Sequence, residues 1–276
     1  MVDFLTRIRK RTDELLEMLG HDEEPLGVYY SDEKPEGPGP KPGPSLSVEA
    51  ENRGELDMRA VMSGFSCVMG RVLLARKKKI ATWLAADAYG CAGAAFYAGF
   101  YKPQLNFITH FVSTGISGVV EGERFMPSPE ACRTFFAKID PRPAPKSYCV
   151  IKPLSLFQDE ELPETVAFFA RGELLCGLAA LATFATGESE TNVAPFGAGC
   201  TQLIAWPLHY RDRGLDRAVI GGTDVACRGL YNLDELSFAV PLPLYQRMLE
   251  AAPKSFLITE DWAKVKKRIV QSREKN

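Results

Sequence analysis

The sequence predicts an α/β or α+β chain made of two similar halves, an internal duplication packed about a pseudo-two-fold axis. Three observations predict it. Short apolar runs bounded by Gly or Pro, such as Leu26-Gly27-Val28-Tyr29-Tyr30 and Leu236-Ser237-Phe238-Ala239-Val240-Pro241, alternate with longer helical stretches. Cys91 follows Cys67 by 24 positions, and Cys200 follows Cys176 by the same 24. The second cysteine of each pair sits in a Gly-Cys turn leading into an apolar run, Tyr89-Gly90-Cys91-Ala92-Gly93-Ala94-Ala95-Phe96-Tyr97 and Pro195-Phe196-Gly197-Ala198-Gly199-Cys200-Thr201-Gln202-Leu203. Chance spacing of four cysteines is the plainer alternative. The shared turn context and the later order of a Phe-to-Pro stretch followed by a helix favour duplication. The expected divisions are an N-terminal helix (1–24), a first half (25–140), a second half (145–252) and a C-terminal helical tail (253–276).

Taken in order, apolar positions Phe4, Leu5, Ile8, Leu15, Leu16 and Leu19 mark an amphipathic helix that Gly20 stops. Pro25 to Tyr30 is the first strand. Pro35 to Pro44, rich in Pro and Gly, holds neither helix nor inner strand and runs over the surface, as a plain loop or a mobile lid. Met58 to Arg76 reads as a helix with Cys67 near its middle, closed by the cations Arg76-Lys77-Lys78-Lys79. Ile80 to Leu84 is a strand, and the first Gly-Cys turn opens a helix to about Phe100. Leu105 to Val120, rich in Phe, Ile, Val and Thr, reads as strands broken at Gly115. Pro129 to Ile139 is a helix with Cys132 in the core. Pro141-Arg142-Pro143-Ala144-Pro145 joins the halves. The second half reads as a strand at Tyr148–Ile151, strand or helix at Pro163–Phe169, a helix from Gly172 to Thr186 and the second Gly-Cys turn. A strand running into a glycine turn at 217–224, a strand at 236–241 and helices at 244–251 and 261–273 complete it.

Composition narrows the function. The chain has 276 residues, 46% hydrophobic and 25% charged, which is ample for a core. A net charge of −2 gives no reason to expect nucleic acid or an anionic membrane as a partner. No apolar run approaches the ~20 residues of a membrane span. An odd number of cysteines, and a charged amphipathic start instead of an apolar leader, point to a reducing, cytoplasmic setting with free or metal-bound thiols.

The chemistry expected at the Gly-Cys turns follows from their place. A thiol at a helix start sits beside unpaired N–H groups and the positive end of the helix dipole, which favour thiolate. If the halves fold together, Cys67, Cys91 and Cys200, with Cys176, form a soft donor set suited to an iron–sulfur cluster or zinc. Gly90 and Gly199 are the glycines placed to approach such a cofactor. Asp224, Arg228 and Glu235 flank a strand as substrate-orienting groups, or as an ion pair that fixes a turn. A cysteine nucleophile would need a base, and the histidines are His21, His110 and His209. The expected partners are a small-molecule substrate or an electron-transfer protein. The bland alternative is a non-catalytic module for a small anion or a protein, with structural core cysteines.

These residues resemble a known family. Pro25-Leu26-Gly27-Val28, Cys67 before a helix ending in basic residues, and the run from Gly90-Cys91 to Gly99-Phe100 are similar to domain-of-unknown-function family 169, an uncharacterised archaeal conserved region. Ala194 to Cys200, Asp224, Arg228 and Asp234 to Pro241 extend the likeness over roughly Pro25 to Pro243. The resemblance implies a cytoplasmic bacterial or archaeal protein without an assigned reaction, with cysteine at 67, 91 and 200. The Pro35–Pro44 loop is longer than the resemblance implies.

Overall fold

The computed structural model describes residues 2–43, 66–101, 106–118, 120–158 and 160–273. Its centre is a seven-stranded sheet in the order β2-β5-β1-β6-β9-β8-β7, where β1 is Leu26–Ser31, β2 Thr82–Ala85, β5 Tyr148–Pro153, β6 Thr165–Ala170, β7 Asn192–Val193, β8 Ala218–Gly221 and β9 Leu236–Pro241. The β7–β8 pair is parallel and the other ladders are antiparallel, so the sheet is mixed. A separate hairpin joins β3 (Gly115–Ile116) to β4 (Val120–Glu121). β5 sits between β1 and β2, so the sequence halves share one sheet.

Helices cover both faces, and the strand alternation decides which residues meet which helices. Tyr29, Val150, Val166, Phe168 and Phe238 point to one face. There they meet α1 (Val2–Leu19), α6 (Gly172–Thr186), α8 (Leu242–Ala251) and α9 (Glu260–Arg273). Val28, Tyr30, Cys149, Ile151, Ala167 and Phe169 point to the other. On that side lie α2 (Val68–Lys78), α3 (Ala92–Tyr97), α5 (Pro129–Ile139) and a π-helical turn, Thr201–Ala205, that runs into α7 (Trp206–Arg211). The outer helix α9 is stapled by Trp262, whose ring packs where Gly177 of α6 lacks a side chain and whose Nε1 donates to the Met18 carbonyl at 2.8 Å.

Several expectations are corrected. Cys67 is not mid-helix; it is the N-cap of α2, and 58–65 of the expected helix lie outside the described residues. Residues 106–112 form a helix, α4 (Asn106–Val112), despite their β-branched and aromatic content, because strand propensity is weak against packing on α5. The described part of the Pro-Gly loop is no free lid. The Trp83 indole donates to the Gly37 carbonyl at 2.9 Å, and Gly43 N–H donates to Asp87 O at 2.9 Å, so the loop is laid along the β2 edge. Among the described residues no helix is long and apolar enough to cross a membrane.

Candidate functional site

A cavity of about 320 Å³ opens on the second face of the sheet. Cys67, Cys91, Cys200 and Cys227 line it, with Glu123 and Asp224. The walls are aromatic: Phe96, Phe111, Phe125, Phe135, Phe136 and Phe196. Residues separated by up to 160 positions thus meet because several helical segments begin at this point.

The convergence is built from glycines and backbone bonds. Gly90 has φ +78°, and a Cβ there would run into the Ser66 carbonyl oxygen. Ser66 N–H donates to Gly90 O at 2.9 Å. The residue before Cys67 is therefore clamped to the residue before Cys91. Gly199 does the same for Cys200: a Cβ on it would lie 2.8 Å from Met69 Cγ and 2.9 Å from Cys227 Sγ. Gly199 N–H donates to Asp224 Oδ2 at 3.2 Å, and Ala226 N–H donates to Asp224 Oδ1 at 3.0 Å. Asp224 so caps the 3-10 turn Val225–Leu230 and holds the second Gly-Cys turn against it. Cys91 caps α3, its sulfur accepting from Ala94 N–H at 3.3 Å. Cys200 enters the π-helical turn, a distortion that often accompanies functional sites.

Glu123 arrives by another route. After β4 the chain is zipped along the end of α4: Glu123 N–H donates to Phe111 O at 2.7 Å and Phe125 N–H to Val112 O at 3.0 Å. This sets Glu123 and Phe125 into the cavity wall.

The electrostatics overturn the expectation that the helix starts favour thiolate. Burial pushes the Cys67 thiol up, and pushes Cys91 up to about 12, although the Ala94 and Gly93 N–H groups pull the other way. Cys200 is raised well above the ordinary thiol range, first by burial and then by Cys91, Cys67, Cys227 and Asp224. Burial, then Asp224, raises Cys227 as well. Desolvation of a whole charge outweighs the partial charges of a helix start. Burial thus favours the protonated form of all four thiols.

Burial, and then Asp224, also raises the Glu123 carboxyl to about 7. The folded chain thus holds a proton that the unfolded chain releases. The stabilising contribution is full below the unfolded value of 4.5 and is lost as pH rises to about 7. Above that, ionised Glu123 costs about 1–2 kcal/mol once the solvent reaching this half-buried group is allowed for. Glu123→Gln is therefore expected to raise unfolding free energy by that amount near pH ~8 and to change little near pH ~4. Urea unfolding at the two pH values checks this, and an equal effect at both would refute it.

The sequence-derived site divides accordingly. Cys67, Cys91, Cys200, Gly199 and Asp224 line the cavity. Gly90 does not line it but pins two of those cysteines. Cys176 is a correction: it is exposed on α6, on the opposite face of the sheet, so the spacing shared with Cys67 brings the two nowhere near each other. Arg228 and Glu235 are not among the lining residues either. Arg228 Nη1 donates to the Glu235 and Gly222 carbonyls at 2.6 and 3.3 Å, and the Glu235 carboxylate is taken by Arg76 and Asn232. None of the three histidines lines the cavity, which leaves a cysteine nucleophile without a histidine base. Cys227 and Glu123 were not anticipated. Cys227 breaks the 24-residue echo, and Glu123 lies just past the expected strand region, which ended at Val120, in a stretch with no motif of its own.

Among the described residues, no group of three or more His, Cys, Asp or Glu side chains is gathered for a single metal ion. The comparison with protein families is decisive for kinship. Residues 14–251 match domain-of-unknown-function family 169 (DUF169), described as an uncharacterised ArCR. The chain belongs to that family. The match spans both Gly-Cys turns and every residue lining the cavity. No curated protein and no solved structure matches the chain. Membership in DUF169 names kin without naming a reaction, so function has to be argued from the cavity.

Proposed function

We propose that the cavity holds an iron–sulfur cluster on Cys67, Cys91 and Cys200 and admits a small molecule beside it, in a cytoplasmic protein. The observation that supports this reading is that three cysteines, each at the start of a different helical segment, line one cavity. Soft thiol donors suit iron–sulfur or zinc and disfavour Mg²⁺ or Ca²⁺. A single ion draws its thiolates into one tight shell, with Zn–S at about 2.3 Å. A cluster spaces its ligands more widely, which suits thiols spread around a cavity. Three thiolates would leave one iron open, supplying either Lewis-acid or one-electron chemistry; the outlet for electrons would be a partner protein. This chain's own contribution is to release three thiol protons on loading, exclude water with the phenylalanine wall, and orient Asp224 through two N–H bonds. The repeated order of helix, strand, Gly-Cys turn and helix (α2–β2–α3 and α6–β7–α7) supports an ancient duplication, now divergent: only one copy keeps its first cysteine at the site.

Anaerobic purification or reconstitution with iron and sulfide, followed by visible absorbance and iron counting, tests the reading. Cys91→Ser and Cys200→Ser are expected to abolish the absorbance, and Cys176→Ser to leave it unchanged. A colourless wild-type protein whose cavity thiols all alkylate freely would sink the proposal.

A further inference from the structure

We infer that the small molecule this cavity selects is largely apolar and carries a positively charged, amine-type group, with Glu123 and Asp224 as its counter-charges. The inference rests on the reading that the cavity admits a small molecule, and not on the cluster itself. Its first support is the sign of the lining. Two carboxylates face the cavity, and among the described residues no Lys, Arg or His lines it. The second is that one of these carboxylates is unspent. Asp224 is engaged by Gly199 and Ala226 N–H groups. Among the described residues, the Glu123 side chain has neither a hydrogen-bond donor nor a cation as partner, although it is half withdrawn from water.

The third support is the wall. Phe125 and Phe196 have ring centroids 5.4 Å apart, Phe135 and Phe196 6.0 Å, and Phe96 and Phe136 5.7 Å. They form connected aromatic surface contributed by α3, α5 and the loops before Cys200 and after β4. Ring faces attract cations, so wherever this wall turns a face to the ligand it favours the charge that the carboxylates select. The helix starts point the other way, but their effect is smaller. A helix N-terminus offers only about half a charge. Two of the N–H groups at these helix starts are also used, Gly199 by Asp224 and Ala94 by Cys91. Above about pH 7, where Glu123 ionises beside Asp224, the two carboxylates of this poorly solvated cavity therefore set the preference. The volume, about 320 Å³, fits one ring with a short side chain.

Calorimetric binding of 2-phenylethylamine and of the similarly shaped anion phenylacetate to the full chain at pH ~8, where Glu123 is ionised, tests this, before and after stripping metal with a chelator. The amine is expected to bind at least about tenfold more tightly than the anion in both preparations. Glu123→Gln is expected to remove most of that preference, while Glu123→Asp keeps it; a thermal melt of each variant verifies folding. Equal affinities, tighter phenylacetate binding, no binding of either probe, or an unchanged preference in folded Glu123→Gln would each overturn the inference. The two proposals fail separately. A protein that prefers the amine but stays colourless defeats only the cluster, and a coloured protein indifferent to charge defeats only the amine.

Discussion

Arg76→Ala is expected to lower unfolding free energy by about 3–5 kcal/mol, chiefly the cost of leaving the buried Glu235 carboxylate without its cation. Arg76 is the buried residue in the last turn of α2. Its Nε and Nη2 donate to Glu23 at 2.6 and 2.9 Å, and its Nη1 and Nη2 donate to Glu235 at 2.9 and 2.8 Å. Its guanidinium also lies 4.0 Å from the centre of the Phe169 ring. Burial opposes charge on both Arg76 and Glu235, yet mutual pairing holds the arginine above its usual range and the glutamate below its own. The network reaches the site. Glu235 O is held by Arg228, in the same 3-10 turn as Cys227, and α2 begins at Cys67. Arg76→Lys should recover only part of the loss, because an ammonium cannot fork between two carboxylates. Denaturant unfolding gives the stability change, and faster alkylation of Cys67 in the variant would report the loosened site. A loss under about 1 kcal/mol would show that the pair is dispensable.

Gly90→Ala is expected to cost about 2–4 kcal/mol and to separate Cys91 from Cys67. Two causes add. A left-handed φ of +78° strains any residue with a Cβ. That Cβ would also meet the Ser66 carbonyl, a backbone group with no rotamer to yield. Gly93→Ala is the control, since a Cβ there meets only Tyr97 Cε2 at 3.7 Å and Cys91 Sγ at 3.9 Å, ordinary contacts. Thermal unfolding compares the two; if Gly90→Ala also lost the visible absorbance expected of the loaded protein while Gly93→Ala kept it, the clamp would be tied to the site. Equal stability of the two variants would remove the clamp from the account.

The strands at Leu26–Ser31 and Leu236–Pro241 and the helix at Gly172–Thr186 were legible because each carries its own signal: alternation or an apolar run bounded by Gly or Pro. The stretch 106–112 was misread because β-branched and aromatic residues there pack as a helix against α5, a contact that local propensity does not encode. The cysteine echo was half informative. Cys91 and Cys200, each in its own Gly-Cys turn, line one cavity, but the echo also named Cys176, which lies on the opposite face. Two copies of a pattern need not fold onto the same side of a sheet.

By itself the sequence determined the mixed class, the Gly-Cys turns that put Cys91 and Cys200 near helix starts, and the family. Those are local properties, set by which residues follow which. Only the tertiary structure decided that Cys227 and Glu123 line the cavity, that Cys67 begins a helix, that Glu235 pairs with Arg76 while Arg228 holds backbone carbonyls, and that burial raises the thiols. Those outcomes depend on which side of the sheet an element lies and on how much water its neighbours remove, and burial is a property of the packed whole.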